Sequence, residues 1–74
     1  MEIILYSADW CPKCQVLRKK LAARYIEFKV VKDENILDQM GIDELPVLSV
    51  GGELMDMVTA NNWINSLEGP VNEH

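Results

Sequence analysis

Glu2-Ile3-Ile4-Leu5-Tyr6-Ser7-Ala8-Asp9-Trp10-Cys11-Pro12-Lys13-Cys14 sets a compact apolar run directly ahead of two thiols and a proline. Glu2 to Tyr6 reads as a buried strand, which Ser7-Ala8-Asp9 ends. Pro12 suits the first position of a helix, where its missing N–H has no partner to lose. The chain is therefore expected to leave a strand, present Cys11 at a helix start and carry Cys14 one turn in. Residues three apart on a helix are neighbours, within reach of the roughly 4.4–6.8 Å Cα separation that a disulfide spans. These are the chain's only two cysteines, and their spacing suits a bond that opens and closes without refolding the protein.

Other uses of such a pair compete with redox chemistry. Closing a four-residue loop limits the unfolded chain by only about 2 kcal/mol, against about 3 for a fifteen-residue loop, so a purely structural staple gains little here. Tetrahedral zinc and most iron-sulfur sites want four Cys or His ligands, and the chain offers two cysteines and one histidine, His74. A metal or iron-sulfur cluster would have to be shared between two subunits through Cys11 and Cys14. A non-enzymatic subunit whose disulfide changes its affinity for a partner is the remaining alternative.

Seventy-four residues make one small domain, near the size at which a core alone stabilises only marginally. Hydrophobic residues at 49% and charged residues at 26% speak for an ordinary soluble globular chain and against disorder. No stretch approaches the ~20 apolar residues of a membrane span, and Met1 to Tyr6 lacks the basic start of a signal peptide. A cytoplasmic protein with no membrane partner is expected. In a reducing cytosol a lone Cys-x-x-Cys is catalytic more often than structural. The net charge of −5 conceals an asymmetry: all seven Lys and Arg lie in residues 1–32 with three acids, while residues 33–74 carry nine acids and no base. One short basic helix, with Arg18, Lys19, Lys20 and Arg24, is an ordinary solvated face in an acidic protein, so no nucleic-acid partner is expected.

Beyond the cysteines, Val16, Leu17, Leu21 and Ala22 or Ala23 recur at helical spacing up to about Arg24. Ile26, Phe28 and Val30 alternate with Glu27 and Lys29, which predicts a second strand over 25–31, parallel to the first. Asp33 or Asn35 can cap a short helix carrying Ile36, Leu37 and Met40, ended by Gly41. Residues 45–50 read as a strand with Pro46 at its start, and Gly51-Gly52 as a two-residue hairpin turn into a strand over 53–57. A last helix takes Ala60, Trp63, Ile64 and Leu67 on one face, with Thr59 as cap and Gly69-Pro70 as stop. The order β-α-β-α-β-β-α predicts an α/β fold, a four-stranded mixed sheet with helices on both faces. Sites in such sheets sit at the carboxyl ends of strands, where these cysteines fall.

A leading strand, Cys11-Pro12-Lys13-Cys14 at a helix start, a later strand opening with Leu45-Pro46 and a glycine hairpin together resemble the thioredoxin superfamily. The compact size and the dithiol motif resemble glutaredoxin, whereas Trp10 before the motif is more like thioredoxin. The resemblance covers about residues 1–68 as one glutaredoxin-like domain and leaves 69–74 as a tail. It implies a thiol-disulfide oxidoreductase in which Cys11 is the exposed attacking thiolate and Cys14 the buried resolving thiol. Independent physics agrees: unpaired N–H groups and the dipole at a helix start favour a thiolate at Cys11, Lys13 adds a positive charge, and Asp9 opposes it. The resemblance also implies a cis Leu45-Pro46 bond, a geometry that X-Pro bonds take only about 5–6% of the time, with Leu45 presenting backbone groups to substrate. Trp10 is open to two readings, a substrate-contact surface or a half-buried ring covering the sheet end.

The glutathione site departs from the glutaredoxin pattern. A basic residue three before the first cysteine, a Thr-Val-Pro triplet and a later Gly-Gly ahead of Asp are replaced by Ala8, by Glu44-Leu45-Pro46 and by Asp56-Met57 with Thr59. Glutathione is anionic, so Glu44 and Asp56 repel it and Lys13 compensates only in part. The resemblance is then closest to the small redoxins that work like thioredoxin and donate electrons to ribonucleotide reductase. It implies a monomer with no bound cofactor or metal, acting on disulfide-containing proteins and reduced by a flavin-dependent thioredoxin reductase. Glutathione is the alternative reductant. Met55, Met57 and Val58 are candidates for an exposed partner surface.

Overall fold

The computed structural model describes residues 2–67 of the chain. The expected tail over 69–74 and the Gly69-Pro70 stop lie outside the described residues. The element order is β1 (Ile3–Tyr6), α1 (Pro12–Ala23), β2 (Lys29–Val31), α2 (Glu34–Gln39), β3 (Val47–Val50), β4 (Glu53–Met55) and α3 (Met57–Ser66). The strands form one mixed sheet in the order β2-β1-β3-β4. β1 runs parallel to β2 and antiparallel to β3, and β3 pairs antiparallel with β4. The expected α/β order is the observed one.

Register explains the core. Leu5 stands opposite Leu48, and Leu48 opposite Met55, so these three share one face of the sheet. α1 and α3 close over the core with Leu17, Leu21, Ala60 and Ile64. Leu5, Leu17, Leu21, Leu48 and Ile64 are essentially fully covered, each contributing about 1.5–3 kcal/mol relative to an exposed side chain. α1 buries only the stripe Cys14, Leu17 and Leu21; Val16, Ala22 and Ala23 face solvent. Leu37 is the buried residue of α2 and stands outside this cluster.

The turn Gly51-Gly52 has both residues at positive φ, 59° and 92°, the requirement of a type I′ hairpin. The predicted strand over 25–31 is shorter than expected, because the end of α1 uses its first residues. Tyr25 takes φ 59°, its N–H donates to the Ala22 carbonyl, and the Ile26 N–H donates to the Leu21 carbonyl. This pair of bonds is the Schellman closure, and Ile26 packs on the core that contains Leu21. Asp33, not Asn35, caps α2 through the Asn35 N–H, and Gly41 at φ 72° closes it with the same Schellman pattern to Asp38 and Leu37. Residue 56 ends the fourth strand early: Asp56, not Thr59, caps α3, accepting from the Thr59 N–H at 2.8 Å. Among the described residues no helix is long and apolar enough to cross a membrane.

Candidate active site

β1 ends at Tyr6, and the Ser7 N–H donates to the Val31 carbonyl at 2.9 Å, prolonging the parallel pairing by one residue. The chain then turns through Ala8 to Cys11, whose N–H donates to the Ala8 carbonyl. This turn places Cys11 as the residue capping α1, with Pro12 at the first helical position. Cys11 and Cys14 form a disulfide with their Cα atoms 5.3 Å apart. The Cys14 N–H points at Cys11 Sγ, 3.2 Å away. No acidic side chain occupies the first turn of α1, so nothing of the helix's own competes with Cys11 for its unpaired N–H groups.

Both cysteines are covered in this oxidised state. Cys14 is 2% exposed, as expected, but Cys11 is only 4% exposed and not the open thiol that the resemblance implies. The reason is its position: a capping residue folds its side chain back over the helix start, and here that side chain is also bonded to Cys14. Trp10 is 75% exposed, which removes the reading of a ring that covers the sheet end. Pro12 and Lys13 are exposed, Leu45 is half-buried and Pro46 is buried.

Tyr6 pairs with Val47, so the residues following Tyr6 and those preceding Val47 emerge at one end of the sheet. That end brings the cysteine turn together with Leu45 and Pro46, whose peptide bond is cis. Beside it runs a groove of about 330 Å³ lined by Lys13, Asp43, Glu44, Leu45, Pro46, Asp56 and Met57, among others. A second groove of about 240 Å³ carries Trp10, Lys32, Glu34, Leu37 and Asp38 and shares Ile42, Asp43 and Leu45 with the first. A broader depression lies around Glu2, Ile3 and residues 26–29, near the opposite end of β1, and has no cysteine. Of the expected partner surface, Val58 is exposed, Met57 is half-buried and Met55 belongs to the core.

Lys32 went unnoticed in the sequence although it shapes the electrostatics here. Its Nζ donates to Asp9 Oδ1 at 2.7 Å. That hydrogen bond, then the Lys32 charge, with a small contribution from Arg18, holds the Asp9 carboxyl below its ordinary 3.8. Asp9 is thus an ion pair rather than a lone anion opposing a Cys11 thiolate. The only sequence signal was the position of Lys32 just past a strand parallel to β1. Among the described residues no three His, Cys, Asp or Glu side chains gather to hold a metal, so any metal on Cys11 and Cys14 needs ligands from beyond them.

No family model matches this sequence, and no curated protein is similar to it. Solved structures are. The glutaredoxin-like NrdH-redoxin from Escherichia coli superposes over 90% of this chain and 95% of its own, with a TM-score of 0.72 and 22% identity. The fold is the thioredoxin fold. Two glutathione transferases contain it as a part. That of Ascaris lumbricoides matches with a TM-score of 0.68 and 18% identity, over 86% of this chain and 34% of its own. The trimeric TDR1 of Leishmania matches with a TM-score of 0.72 and 15% identity, over 96% of this chain and 18% of its own. In this thioredoxin fold the Cys11–Cys14 pair follows the first strand of the sheet, and Pro46 precedes the third.

Proposed function

We propose that this chain is a dithiol thiol-disulfide oxidoreductase that reduces protein disulfides. The observation that carries the reading is the Cys11–Cys14 disulfide at the start of α1, with a backbone N–H directed at Cys11 Sγ. In the reduced protein Cys11 is the thiolate, favoured by that N–H, the helix dipole and Lys13. It attacks one sulfur of a substrate disulfide; a mixed disulfide forms, and the other substrate sulfur leaves as a thiolate that takes a proton. Cys14 then loses its proton and attacks Cys11 Sγ, releasing the second substrate thiol. Two electrons pass to the substrate, two S–H groups form there, and the protein is left with the Cys11–Cys14 bond. A reductant's dithiol reverses the sequence.

The reductant on this reading is a flavin-dependent thioredoxin reductase rather than glutathione. The groove beside the site supports it: Asp43, Glu44 and Asp56 line it against the single cation Lys13, an unfavourable seat for a ligand with two carboxylates. The thioredoxin-like activity profile described for the E. coli NrdH-redoxin is in keeping with this choice. Donation of electrons to ribonucleotide reductase is a fitting use, in the cytoplasm and by a monomer. The test compares recovery of reduced Cys11 and Cys14 with glutathione against NADPH plus thioredoxin reductase, in the same chain. Recovery with the reductase system and little with glutathione is expected; efficient glutathione reduction overturns the choice of reductant. Cys11→Ser should abolish disulfide reduction and Cys14→Ser should accumulate mixed disulfides. Unchanged turnover in Cys11→Ser sinks the mechanism.

A further inference from the structure

The two grooves flanking the cysteine turn meet at Ile42, Asp43 and Leu45 and form a continuous band across the active end of the sheet. Its charged residues are unevenly signed. Glu34, Asp38, Asp43, Glu44 and Asp56 are all exposed along it. Against them stand Lys13 and Lys32, and Lys32 is engaged with Asp9. The cations Arg18, Lys19, Lys20 and Arg24 lie further along α1 and line neither groove. Between the acids the surface is apolar, with Leu45, Pro46, Leu54 and Met57 on one side and the exposed Trp10 ring on the other.

An acidic face alone is commonplace. This one flanks the cysteine turn, reaching it through Lys13 in one groove and Ala8 and Trp10 in the other, so a segment that reacts at Cys11 comes to lie beside it. We propose that the substrate is an extended, disulfide-bearing protein segment with Lys or Arg residues flanking its cysteines. The basic side chains lie against Asp43, Glu44 and Asp56, and an apolar residue lies against Leu45, Pro46 and Met57. This rests on the oxidoreductase reading above and names the class of segment that it selects. The chemistry is the same two-electron exchange, with the reduced chain as the reductant.

Charge acts here on encounter more than on final affinity. Individually exposed ion pairs contribute little, but a groove lined by one sign raises the local concentration of an oppositely charged partner and speeds association by about 10- to 1,000-fold, an effect that salt removes. An acidic segment meets the opposite field.

The test uses the reduced chain and two oxidised peptides with the same apolar core and Cys spacing, one flanked by Lys and Arg and the other by Asp and Glu. Second-order rate constants are read from formation of the Cys11–Cys14 disulfide. At about 0.02 M salt the basic peptide should react at least about tenfold faster, and at about 0.5 M the ratio should fall to about twofold or less. The double substitution Asp43→Lys with Glu44→Lys should narrow or invert the ratio; should that variant fail to fold, the salt series on the native chain decides alone. Equal rates at low salt, or a preference that salt leaves untouched, overturn the charge selection while leaving the oxidoreductase reading in place. Reduction of neither peptide, with insulin disulfides also untouched, overturns that reading and the proposal with it.

Discussion

The first turns of α1 and α3 are closed by the same contact made from different chemistry. In each, the capping side chain accepts from the backbone N–H three residues on: Cys11 Sγ from Cys14, and Asp56 Oδ1 from Thr59. Asp56 brings a full negative charge to the positive end of its helix, and the Thr59 N–H bond, before any other cause, holds its carboxyl below the ordinary 3.8. Cys11, while disulfide-bonded, brings a neutral sulfur and a weak acceptor. α3 therefore carries a charge at its start whatever the redox state, whereas α1 meets its positive end with a neutral sulfur while the disulfide stands and gains a charge there only on reduction and ionisation of Cys11. One helix start holds a permanent charge, and the charge at the other depends on the state of its sulfur.

The strongest test of that contrast is the reduced protein. Cys11, at the helix start, should react with an alkylating reagent at neutral pH about tenfold or more faster than Cys14, read by mass spectrometry of trapped peptides. Equal rates at the two thiols would break the comparison. Lys13→Glu replaces a favourable charge in the first turn of α1 with an unfavourable one and should slow Cys11 alkylation about two- to fivefold. No change there would assign the effect to backbone N–H groups alone.

The other end of α1 sharpens the picture. Tyr25 and Gly41 close α1 and α2 with the same Schellman geometry, yet only Gly41 suits its positive φ without strain. Tyr25→Gly should raise stability by about 0.5–1 kcal/mol, the relief of left-handed strain less the entropy of glycine, measured by denaturant midpoint. A loss of stability would mean that the Tyr25 ring contributes packing despite its exposure. The pH dependence of this contrast is carried by Asp56. Because its folded pKa is lowered, its contribution to stability is fully present above the unfolded pKa, near 4, and is lost as pH falls through the folded value. Asp56→Ala should lower the melting temperature at neutral pH, where the cap is fully charged, and remove that part of the acid dependence.

Much of this was legible because periodicity reports burial. The apolar run of β1, Leu17 and Leu21 of α1 and the Gly51-Gly52 turn were read correctly and together set the order of elements, whereas Val16, Ala22 and Ala23 share the helical spacing of α1 but face solvent. Boundaries were harder where one residue serves two patterns. Asp56 sits in an alternating run that continues the fourth strand, and its role as a cap depends on where that strand stops. Tyr25 carries no glycine signal for a left-handed turn, so the strand after α1 was read too long. At the candidate site, the pairing of Cys11 with Cys14 was visible from spacing, but the covering of Cys11 and the Lys32–Asp9 pair were not. Both come from contacts between segments distant in sequence or from the path of a turn, which local patterns do not encode.

The pairing of β1 with β3 has a consequence for how the site tolerates change. Tyr6 and Val47 face each other in the two central strands, so the segments bearing the cysteines and Pro46 are anchored to one another by the ladder with no hinge between them. β2 and β4 are the edge strands, so extra residues placed at the Gly51-Gly52 hairpin are expected to leave the distance between the two halves of the site unchanged. The sheet's centre thus acts as a ruler that sets the spacing between the cysteine turn and Pro46, and its margins have no part in that spacing.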